Sequence, residues 1–441
     1  MHQLLKLGST VHTVSGHACT IKDFIGGGGQ GEVYRADLDG KELALKWYFS
    51  EQATPAQKIN LEALIRAGAP SAQFLWPMDL VLDNYATASG FGYIMPLREP
   101  RFKGIVDLMK RRIEPSFYAL STASLQLAQA FLELHAKGLC YRDISFGNVF
   151  FDPNSGDIQI CDNDNVAIDD GMAISGVLGT PRFIAPEIVR GAAVPSTQTD
   201  LFSLSVLLFY LLHIHHPLEG QREADIKCFD LPAMTQLYGI NPLFIFDPTN
   251  KANYPVRGIH DNALEYWPMY PTFLRNRFIQ AFTGGLHDPQ ARIRESEWRA
   301  TLMQMRDSIL YCGSCGAENF YDVEALRNNN GQPYPCWSCQ RNLTLPFRLR
   351  VGREIVMLNH DTKLFPHHID PQQRYDLSQS VAEMQQHPQQ KNVWGLKNLS
   401  DAKWVVTMPD GVVRDVEPGR SVSLVSGVKI QFGHQEGEIR F

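Results

Sequence analysis

A glycine-rich turn near the amino terminus is the first constraint on the fold. Residues 26–33 read Gly-Gly-Gly-Gly-Gln-Gly-Glu-Val, and apolar residues on both sides of the turn predict strands within segment 20–48. Glycine lets backbone N–H groups close over a phosphate, because it has no side chain and accepts unusual torsion angles. A flexible hairpin would have the same composition, so the turn alone leaves both interpretations open. The turn matches G-x-G-x-x-G-x-V through Gly26, Gly28, Gly31 and Val33.

Two charged residues follow the turn at separations that suit a phosphate site. Lys46 ends a predicted strand, 15 residues after Gly31, where its cation could reach the α- and β-phosphates of a nucleotide. Residues 55–67 have the pattern of a helix, and Glu62 on this helix could hold Lys46 through an ion pair. A solvated lysine and a solvated glutamate are the alternative when these two residues are considered alone.

A third group of polar residues follows a predicted helix at residues 118–136. Asp143 could orient a hydroxyl nucleophile or accept its proton, and Asn148, five residues later, could bind Mg²⁺. Asp162 follows an alternating apolar segment, and a carboxylate at the end of a strand is well placed to bridge Mg²⁺ to phosphates. The chain therefore has side chains suited to holding Mg·ATP and to activating a hydroxyl group.

These elements, in this order and at these separations, resemble the signature set of protein kinases across residues 20–308. The resemblance implies an α+β class and a bilobal kinase fold, with a small β-rich lobe beside a larger helical lobe. It also implies that Met95 lies near the gatekeeper and the hinge that contacts adenine. Asp200 would anchor the catalytic loop, and Arg292 would pair with Glu187 of the Ala-Pro-Glu box.

The segment between Asp162 and Glu187 contains two hydroxyl residues, Ser175 and Thr180. The resemblance gives Thr180 the structural place that a threonine has in serine/threonine kinases. Ser175 is therefore the better candidate for autophosphorylation, and Arg142 could neutralise the added phosphate. An unmodified segment, with Arg142 simply packed, is the alternative.

Three positions depart from the kinase pattern. Tyr141 replaces the usual histidine, and Ser145 replaces the lysine that normally follows the catalytic aspartate by two residues. The Asp-Phe-Gly triplet is Asp162-Asn163-Asp164, which keeps the metal ligand and loses the packing phenylalanine and the hinge glycine. Two hypotheses follow. The favoured one is an active kinase, because the metal-binding pair is present; the alternative is a pseudokinase scaffold that binds nucleotide and docks partners.

Four of the eight cysteines form two C-x-x-C pairs separated by 20 residues. This spacing matches a zinc ribbon, in which four thiolates surround a structural Zn²⁺ and leave no open catalytic position. Two disulfides or an iron centre are the alternatives. We predict a kinase domain at residues 1–308 and a zinc ribbon at residues 309–345. The zinc ligands would be Cys312, Cys315, Cys336 and Cys339.

Residues 346–441 change to short alternating segments with glycine and Asp or Asn turns, which predicts a separate all-β, sandwich-like domain. This segment loosely resembles a forkhead-associated domain, a β-sandwich that binds phosphothreonine. Gly352 and Arg353 stand at the Gly-Arg turn of that family, so we expect Arg353 to contribute to an anion contact. Asn398 would be the counterpart of the family's backbone-binding asparagine. A degenerate sandwich used for packing or docking is the alternative.

Composition bears on partners and location. A net charge of −6 gives no general reason to expect nucleic acid binding, because that function normally needs a positive excess. The first twenty residues lack the pattern of an export signal. The apolar run at 201–214 is too short to cross a membrane and suits a buried core helix better. Paired C-x-x-C motifs without such a signal favour metal over disulfides, and hence a reducing, cytoplasmic location.

The segment at residues 216–300 also looks similar to bacterial stand-alone kinases of the eukaryotic-like (Hanks) type. In some of these systems, including those of tellurite resistance, the kinase works with a von Willebrand A-type protein and a metal-dependent serine/threonine phosphatase. The resemblance implies such partners besides a protein substrate. We therefore expect transfer of the γ-phosphate of Mg·ATP to serine or threonine of the chain itself or of a protein partner, with ATP, Mg²⁺ and structural Zn²⁺ as cofactors.

Overall fold

The computed structural model describes residues 3–82, 90–169 and 179–441. The chain divides into two compact units. The first comprises Met1–Tyr266 and Arg277–Arg299, and the second comprises Trp267–Asn276 and Ala300–Phe441. The three domain boundaries expected from the sequence stay predictions.

The first part of the chain alternates strands with helices. Its strands are β1 Thr10–Thr13, β2 Ala18–Gly27, β3 Gly31–Leu38, β4 Lys41–Tyr48, β5 Asp79–Leu82, β6 Phe91–Pro96, β7 Lys103–Gly104, β8 Leu139–Cys140, β9 Val149–Phe151, β10 Ile158–Ile160 and β11 Ala167–Ile168. Its helices are α1 Pro55–Ala67, α2 Ile105–Met109, α3 Phe117–Ala136, α4 Pro186–Val189, α5 Thr197–His213, α6 Gln221–Ala224, α7 Leu231–Thr235, α8 Asp261–Tyr266, α9 Thr272–Phe282, α10 Gly284–His287 and α11 Glu295–Asp307.

The rest of the chain is dominated by strands. They are β12 Ile309–Tyr311, β13 Glu318–Phe320, β14 Arg348–Val351, β15 Glu354–Met357, β16 Lys363–Leu364, β17 Ala382–Gln386, β18 Trp394–Asn398, β19 Trp404–Thr407, β20 Val413–Val416, β21 Ser421–Ser423, β22 Lys429–Gln431 and β23 Glu436–Arg440. Two helices lie among them, α12 Val323–Asn328 and α13 Pro366–Ile369. Short 3₁₀ turns occur at Asn163–Asn165, Trp267–Met269, Pro289–Ala291 and Pro371–Gln373, and a π turn at Gln236–Ile240.

Strands β1 to β6 form a closed antiparallel sheet in the order β1-β2-β3-β4-β6-β5. Side chains of a strand alternate between its two faces, and β4 illustrates this rule. Leu43, Leu45 and Trp47 enter the core inside the sheet, whereas Ala44 and Tyr48 pack in the cluster that includes Leu61 of α1. The alternation therefore places Lys46 on the same face as Ala44 and Tyr48.

The predicted helices at 55–67 and 118–136 are confirmed as α1 and α3. Each begins at a hydroxyl residue that accepts a backbone N–H bond, Thr54 for α1 and Ser116 for α3. The apolar run at 201–214 falls in α5, which is buried along most of its length and is thus a core helix, as predicted. Among the described residues, no helix has both the length and the apolar character needed to cross a bilayer.

Two antiparallel sheets in the second unit share one hydrophobic core. The larger runs β15-β14-β23-β22-β19-β20 and the smaller runs β16-β17-β18-β21. Leu349 and Ile439 of the larger sheet lie in the same buried cluster as Leu396 and Val422 of the smaller sheet. Trp404 of β19, fully buried, is the largest side chain of this cluster.

A buried histidine connects three helices of the first unit. His135 of α3 hydrogen-bonds through Nε2 to the carboxylate of Asp200 on α5, at 3.1 Å, and through Nδ1 to Glu295 on α11. Burial by itself would lower the pKa of His135, but the hydrogen bonds and negative charges of the two carboxylates outweigh it and raise the pKa to about 9. The imidazolium is therefore the stable form in the folded protein at neutral pH.

This histidine predicts a pH dependence of stability. A group whose pKa rises from 6.5 to about 9 on folding stabilises the fold fully below pH 6.5, and its contribution disappears as the pH rises through 9. The contribution is on the order of 3 kcal/mol. Urea unfolding of the full chain between pH 6 and 10 should show this decline, and His135→Gln should remove it. The exposed His434→Gln is the matched control, and an equal decline in both variants would contradict the prediction.

Candidate functional site

A cleft of about 780 Å³ lies beneath the glycine-rich turn. Most of the predicted site residues line it, which are Gly26, Gly28, Gly31, Val33, Lys46, Met95, Asp143 and Asp162. Packing also requires glycine at position 31, since a Cβ atom there would lie 2.1 Å from the carbonyl oxygen of Trp47 on β4. The sequence therefore predicts much of the lining of this cleft, although the lining residues are scattered along the chain.

Lys46 has its counter-ion in the 162–164 triplet. Its Nζ atom donates to both carboxylate oxygens of Asp164, at 2.8 and 3.0 Å, and lies 3.5 Å from Asp162. Gln30 of the glycine-rich turn accepts a further bond from Nζ at 2.9 Å. Burial alone would lower the pKa of Lys46, but the charges of Asp164 and Asp162 and the hydrogen bond to Asp164 raise it. The lysine is therefore held as a cation inside the cleft.

The predicted ion pair between Glu62 and Lys46 is wrong. Glu62 is exposed on α1, and the buried positions of that helix are Leu61 and Leu64. Residues three or four apart share a helix face, so Gln57, Leu61 and Leu64 point inward together and Glu62 does not. The apolar positions Leu61 and Leu64 mark the inner face of α1 in the sequence, and Glu62 lies off that face.

The loop that carries Asp143 is held by hydrogen bonds from both sides. Asp200 of α5 accepts the backbone N–H groups of Tyr141 and Arg142, at 2.5 and 3.0 Å, as predicted for a loop anchor. Asn148 donates to the carbonyl oxygen of Asp143 at 2.8 Å and to its carboxylate at 3.2 Å. The structure therefore brings Asn148 against Asp143, just beneath the cleft.

Thr180 and Arg142 have structural contacts near this loop. Thr180 donates its hydroxyl to the Asp143 carboxylate at 2.7 Å, which agrees with the structural place given to it. Arg142 donates through Nε to the carbonyl oxygen of Asn165 at 2.6 Å. Ser175, the predicted phosphorylation candidate, lies outside the described residues.

The altered triplet has a defined conformation. Asp162 has a φ of +52°, in the left-handed region, and burial together with the nearby charge of Asp164 raises its pKa despite the charge of Lys46. Asn163 is fully buried and donates through Nδ2 to the carbonyl oxygens of Leu75 and Ile160, at 2.9 and 3.0 Å. An amide in two hydrogen bonds therefore occupies the position where the kinase pattern has phenylalanine.

The four paired cysteines come together at a second site. All four Sγ atoms lie within 4.8 Å of one another, with 3.6 Å between Cys312 and Cys339 and 3.7 Å between Cys315 and Cys336. These separations are too long for disulfide bonds, which measure about 2 Å. In each turn the N–H four residues after the first cysteine donates to that cysteine's carbonyl, at 2.9 Å from Gly316 and 2.9 Å from Gln340. The two turns thus have the same local fold.

Local hydrogen bonds favour the thiolate form of two of the four cysteines, Cys312 and Cys336. Burial would raise the pKa of Cys336, but the backbone N–H of Cys339 and the side-chain amide of Asn319 lower it to about 6. Backbone N–H groups of Cys315 and Ser314 lower the pKa of Cys312. The backbone N–H of Arg341 would lower the pKa of Cys339, but burial and hydrogen bonds with the other cysteines raise it to about 11. Thiolate is the form that binds metal ions, so this donor set fits a tetrahedral Zn²⁺.

A further group of ligating side chains comprises Asp307, His367 and His368, all buried. The Nδ1 atom of His368 accepts the N–H of Phe365 at 2.8 Å, and the Nδ1 atom of His367 accepts the N–H of Tyr375 at 2.9 Å. In a neutral ring the other nitrogen, Nε2, then carries the hydrogen. For His368 that hydrogen faces Asp307 at 3.2 Å. The group is therefore suited to hydrogen bonding within the core rather than to metal binding.

The two residues proposed as counterparts of the forkhead-associated site, Arg353 and Asn398, differ in exposure. Arg353 is exposed at the turn between β14 and β15, next to Gly352, whose φ is +58°. Asn398 is fully buried, and its amide donates to the carbonyl oxygens of Ala402 and Val416, at 2.8 and 3.2 Å. The expectation that Asn398 contacts a bound backbone is therefore wrong, because its amide already bonds the loop at Ala402 and the end of β20.

The glycine-rich roof, the buried lysine and the aspartate–asparagine loop define a protein kinase. The model of the protein kinase domain matches residues 19–269, more than half of the chain, and the chain belongs to this family. It is 33% identical over 126 residues to CBL-interacting protein kinase 4 of Oryza sativa subsp. japonica, covering 28% of this chain and 27% of the relative. It is 27% identical over 223 residues to protein kinase C delta type of Mus musculus, covering 47% of this chain and 32% of the relative.

A third relative, glycogen synthase kinase 1 of Pyricularia oryzae, is 25% identical over 201 residues, which are 41% of this chain and 50% of that protein. The chain thus spans between about a quarter and a half of the length of these three relatives.

A buried ion pair between Arg292 and Glu187 lies at the end of the segment that follows Thr180. Arg292 donates to the Glu187 carboxylate at 2.7 Å, as predicted, and its side chain is only 2% exposed. It also donates to the carbonyl oxygens of Gly285 and Gln198, at 3.2 and 2.8 Å. The guanidinium therefore connects the Ala-Pro-Glu box to the start of α5.

Arg292→Gln should lower the free energy of unfolding by roughly 3–5 kcal/mol, because it leaves the Glu187 carboxylate with no cation in a largely buried place. Urea unfolding of the full chain measures the loss. Arg294→Gln, two positions away and exposed, is the matched control and should change stability by less than about 0.5 kcal/mol. Equal losses in the two variants would refute the structural role given to Arg292.

Proposed function

We propose that the chain is a serine/threonine protein kinase that transfers the γ-phosphate of Mg·ATP to itself or to a protein partner. The observation that carries the proposal is that Lys46, Asp143 and Asp162 line one cleft, with Asn148 hydrogen-bonded to Asp143. More than a hundred residues separate the first of these from the last. Membership in the protein kinase family and similarity to proteins named as serine/threonine-protein kinases support it further.

The proposed roles follow from charge and position. Lys46 would hold the α- and β-phosphates, and Asn148 with Asp162 would hold Mg²⁺, which offsets the negative charge on the transferring phosphate when it is bound. Asp143 would orient the serine or threonine hydroxyl and accept its proton. The hydroxyl oxygen forms the new bond to the γ-phosphorus, and the bond to the β–γ bridging oxygen breaks. ADP leaves with the electron pair of that bond.

The alternative is a pseudokinase scaffold that binds nucleotide without transferring phosphate. The loss of the phenylalanine and glycine of the Asp-Phe-Gly triplet, which are Asn163 and Asp164 here, favours this alternative. Ser145 favours it as well, because its hydroxyl cannot supply the positive charge of a lysine. We prefer the active kinase, since Asp143, Asn148 and Asp162 stand together with the chemistry that transfer requires.

We further propose that residues 309–345 form a zinc ribbon in which Cys312, Cys315, Cys336 and Cys339 hold a structural Zn²⁺. The close approach of the four sulfur atoms and the lowered pKa of Cys336 and Cys312 support this proposal. Four protein ligands leave no position for substrate, so the metal would stabilise the local fold and take no part in catalysis.

The all-β part, residues 346–441, is proposed to be a sandwich-like docking domain. The shared core of its two sheets supports this proposal. The forkhead-associated resemblance now depends on Arg353, which remains a proposed anion contact. Phosphopeptide binding by this domain is therefore less well supported than docking of a folded partner.

The biological setting is proposed from the resemblance alone. It comprises a bacterial cytoplasm, a protein substrate, a von Willebrand A-type protein and a metal-dependent serine/threonine phosphatase. Paired cysteines of the metal-binding spacing support a reducing compartment.

The kinase proposal predicts two mutants that differ in kind. Asp143→Asn should keep Mg·ATP affinity nearly intact and lower phosphoryl transfer by roughly 10²–10⁴, the usual effect of a positioned acid–base group. Asp162→Ala should weaken Mg²⁺-dependent nucleotide binding as well as transfer, because it removes a metal ligand. Radiolabelled transfer from γ-labelled ATP and titration with a fluorescent nucleotide measure both effects.

The exposed Asp225→Asn is the control for these mutants and should behave as the wild type. A wild type that binds Mg·ATP but loses no measurable transfer on Asp143→Asn would support the pseudokinase scaffold instead.

The zinc proposal predicts about one zinc ion per chain in gently purified protein, measured by elemental analysis. Cys336→Ser should lose the metal without abolishing nucleotide binding, because the nucleotide cleft belongs to the other compact unit. Cys228→Ser, a substitution at an exposed cysteine outside the cluster, should retain the metal. Less than roughly half an equivalent of zinc in the wild type, or oxidised C-x-x-C pairs, would contradict the proposed zinc site.

A further inference from the structure

The counter-ion of Lys46 comes from an unexpected element. Glu62 of α1 is exposed, whereas the carboxylate of Asp164 contacts the Lys46 Nζ atom through both oxygens, at 2.8 and 3.0 Å. We propose that Asp164 is the residue that positions Lys46 for the nucleotide phosphates, in the role expected of a carboxylate on α1. This inference deepens the proposed function and rests on it.

Asp164 is itself held from several directions. It is fully buried, and Tyr48 of β4 donates its hydroxyl to the carboxylate at 2.5 Å. From α1, Gln57 and Asn60 donate side-chain N–H groups to the backbone carbonyl of Asp164, at 3.1 and 3.3 Å. Asn60 also donates to the carbonyl of Val166 at 2.9 Å. The carboxylate therefore has little freedom to turn away from the lysine.

The two aspartates of the triplet differ in exposure, and this difference suggests separate tasks. The side chain of Asp164 is 0% exposed and that of Lys46 is 7% exposed, whereas that of Asp162 is 40% exposed. A buried cation needs a buried anion, because water cannot reach either group. Both carboxylate oxygens of Asp164 face the Lys46 ammonium, and Asp162 remains open to the cleft for a metal ion.

Helix α1 then supports the lysine indirectly. Its amide side chains hold the backbone of the 163–165 turn, and that turn presents the carboxylate of Asp164. The glycine-rich roof joins the same network, because Gln30 donates to Asn165 at 2.9 Å while it accepts from Lys46. The roof, the lysine and the turn after the predicted metal ligand therefore form one connected set of polar contacts.

The same contacts allow an opposite interpretation, in which Asp164 withholds Lys46 from the phosphates. The two interpretations predict opposite signs for the effect of Asp164→Asn. Asparagine has nearly the same shape and can still accept from Tyr48 or Lys46, so this variant removes the charge with little loss of packing. A gain in transfer would identify a lock, and a loss would identify positioning.

The test compares the full-length wild type with Asp164→Asn and with the matched control Glu62→Gln, which alters a carboxylate on the exposed face of α1. Affinities for Mg·ATP and for adenosine are measured by titration calorimetry, and transfer is measured with γ-labelled ATP. Adenosine has no phosphates, so it does not report on Lys46. Thermal melting confirms that each variant is folded.

We expect Asp164→Asn to weaken Mg·ATP binding roughly tenfold, to change adenosine binding by less than about twofold, and to lower kcat by roughly 10²-fold through misplacement of the lysine. Glu62→Gln should match the wild type in all three measurements. If Asp164→Asn lowered the affinities for Mg·ATP and for adenosine equally, Asp164 would have only a structural role and the proposal would be overturned. Unchanged or increased transfer and ATP affinity, or an equal loss in Glu62→Gln, would overturn it as well.

A wild type without transfer would reject the proposed function, and the comparison of Mg·ATP with adenosine would then decide the positioning role by itself. A double-mutant cycle adds an independent check. If Asp164 acts through Lys46, Asp164→Asn should have almost no further effect on Mg·ATP affinity in a Lys46→Met background. A full additional loss in that background would contradict the proposal, and because the double mutant lacks both buried charges, it is expected to fold.

Discussion

The buried pair of Lys46 and Asp164 is the interaction on which the site depends. It joins a strand of the closed sheet to the turn that follows the predicted metal ligand, across the cleft where a nucleotide would bind. Neither group is stable alone in this place, because a buried charge without a partner loses its hydration and gains nothing in return. Tyr48 donates to the Asp164 carboxylate and Gln30 accepts from Lys46, while Gln57 and Asn60 donate to the backbone carbonyl of Asp164.

A second charged centre organises the helical part in a similar way. Asp200 accepts two backbone N–H groups of the catalytic loop and also bonds His135, which reaches Glu295 on its other side. One carboxylate therefore sets both the position of the loop and the packing of three helices. Arg292, bound to Glu187, fixes the end of the following segment against the same region. Buried, fully paired charges recur wherever the catalytic elements meet the core.

The departures from the kinase pattern become coherent when the triplet 162–164 is considered as a whole. Asn163 replaces an apolar anchor with two hydrogen bonds to backbone carbonyls, and Asp164 supplies the anion that α1 does not. Asp162 keeps the exposed position nearest the cleft. The kinase pattern predicted from sequence that Asp162 is a metal ligand, but the contacts of the other two residues depend on which groups surround them after folding. A triplet that looks degenerate in sequence is thus a closely packed polar unit in the structure.

Local patterns in the sequence determined much of this protein. Helix periodicity correctly predicted α1 and α3, and the apolar run at 201–214 predicted the core helix α5. The order of motifs predicted the kinase family, most of the cleft residues and the pairing of Arg292 with Glu187. The cysteine spacing predicted which four thiols would meet. Tertiary structure decided the contacts that no spacing encodes. Glu62 lies on the helix face turned to solvent, and the side-chain amide of Asn398 donates to backbone carbonyls of its own domain. Asp164 pairs with Lys46, although 118 positions separate them in the sequence. Sequence patterns specify which side chains are available and which face of an element they occupy. Which of them become partners is settled only when distant elements pack, because burial removes water and forces every charge to find an opposite charge within reach.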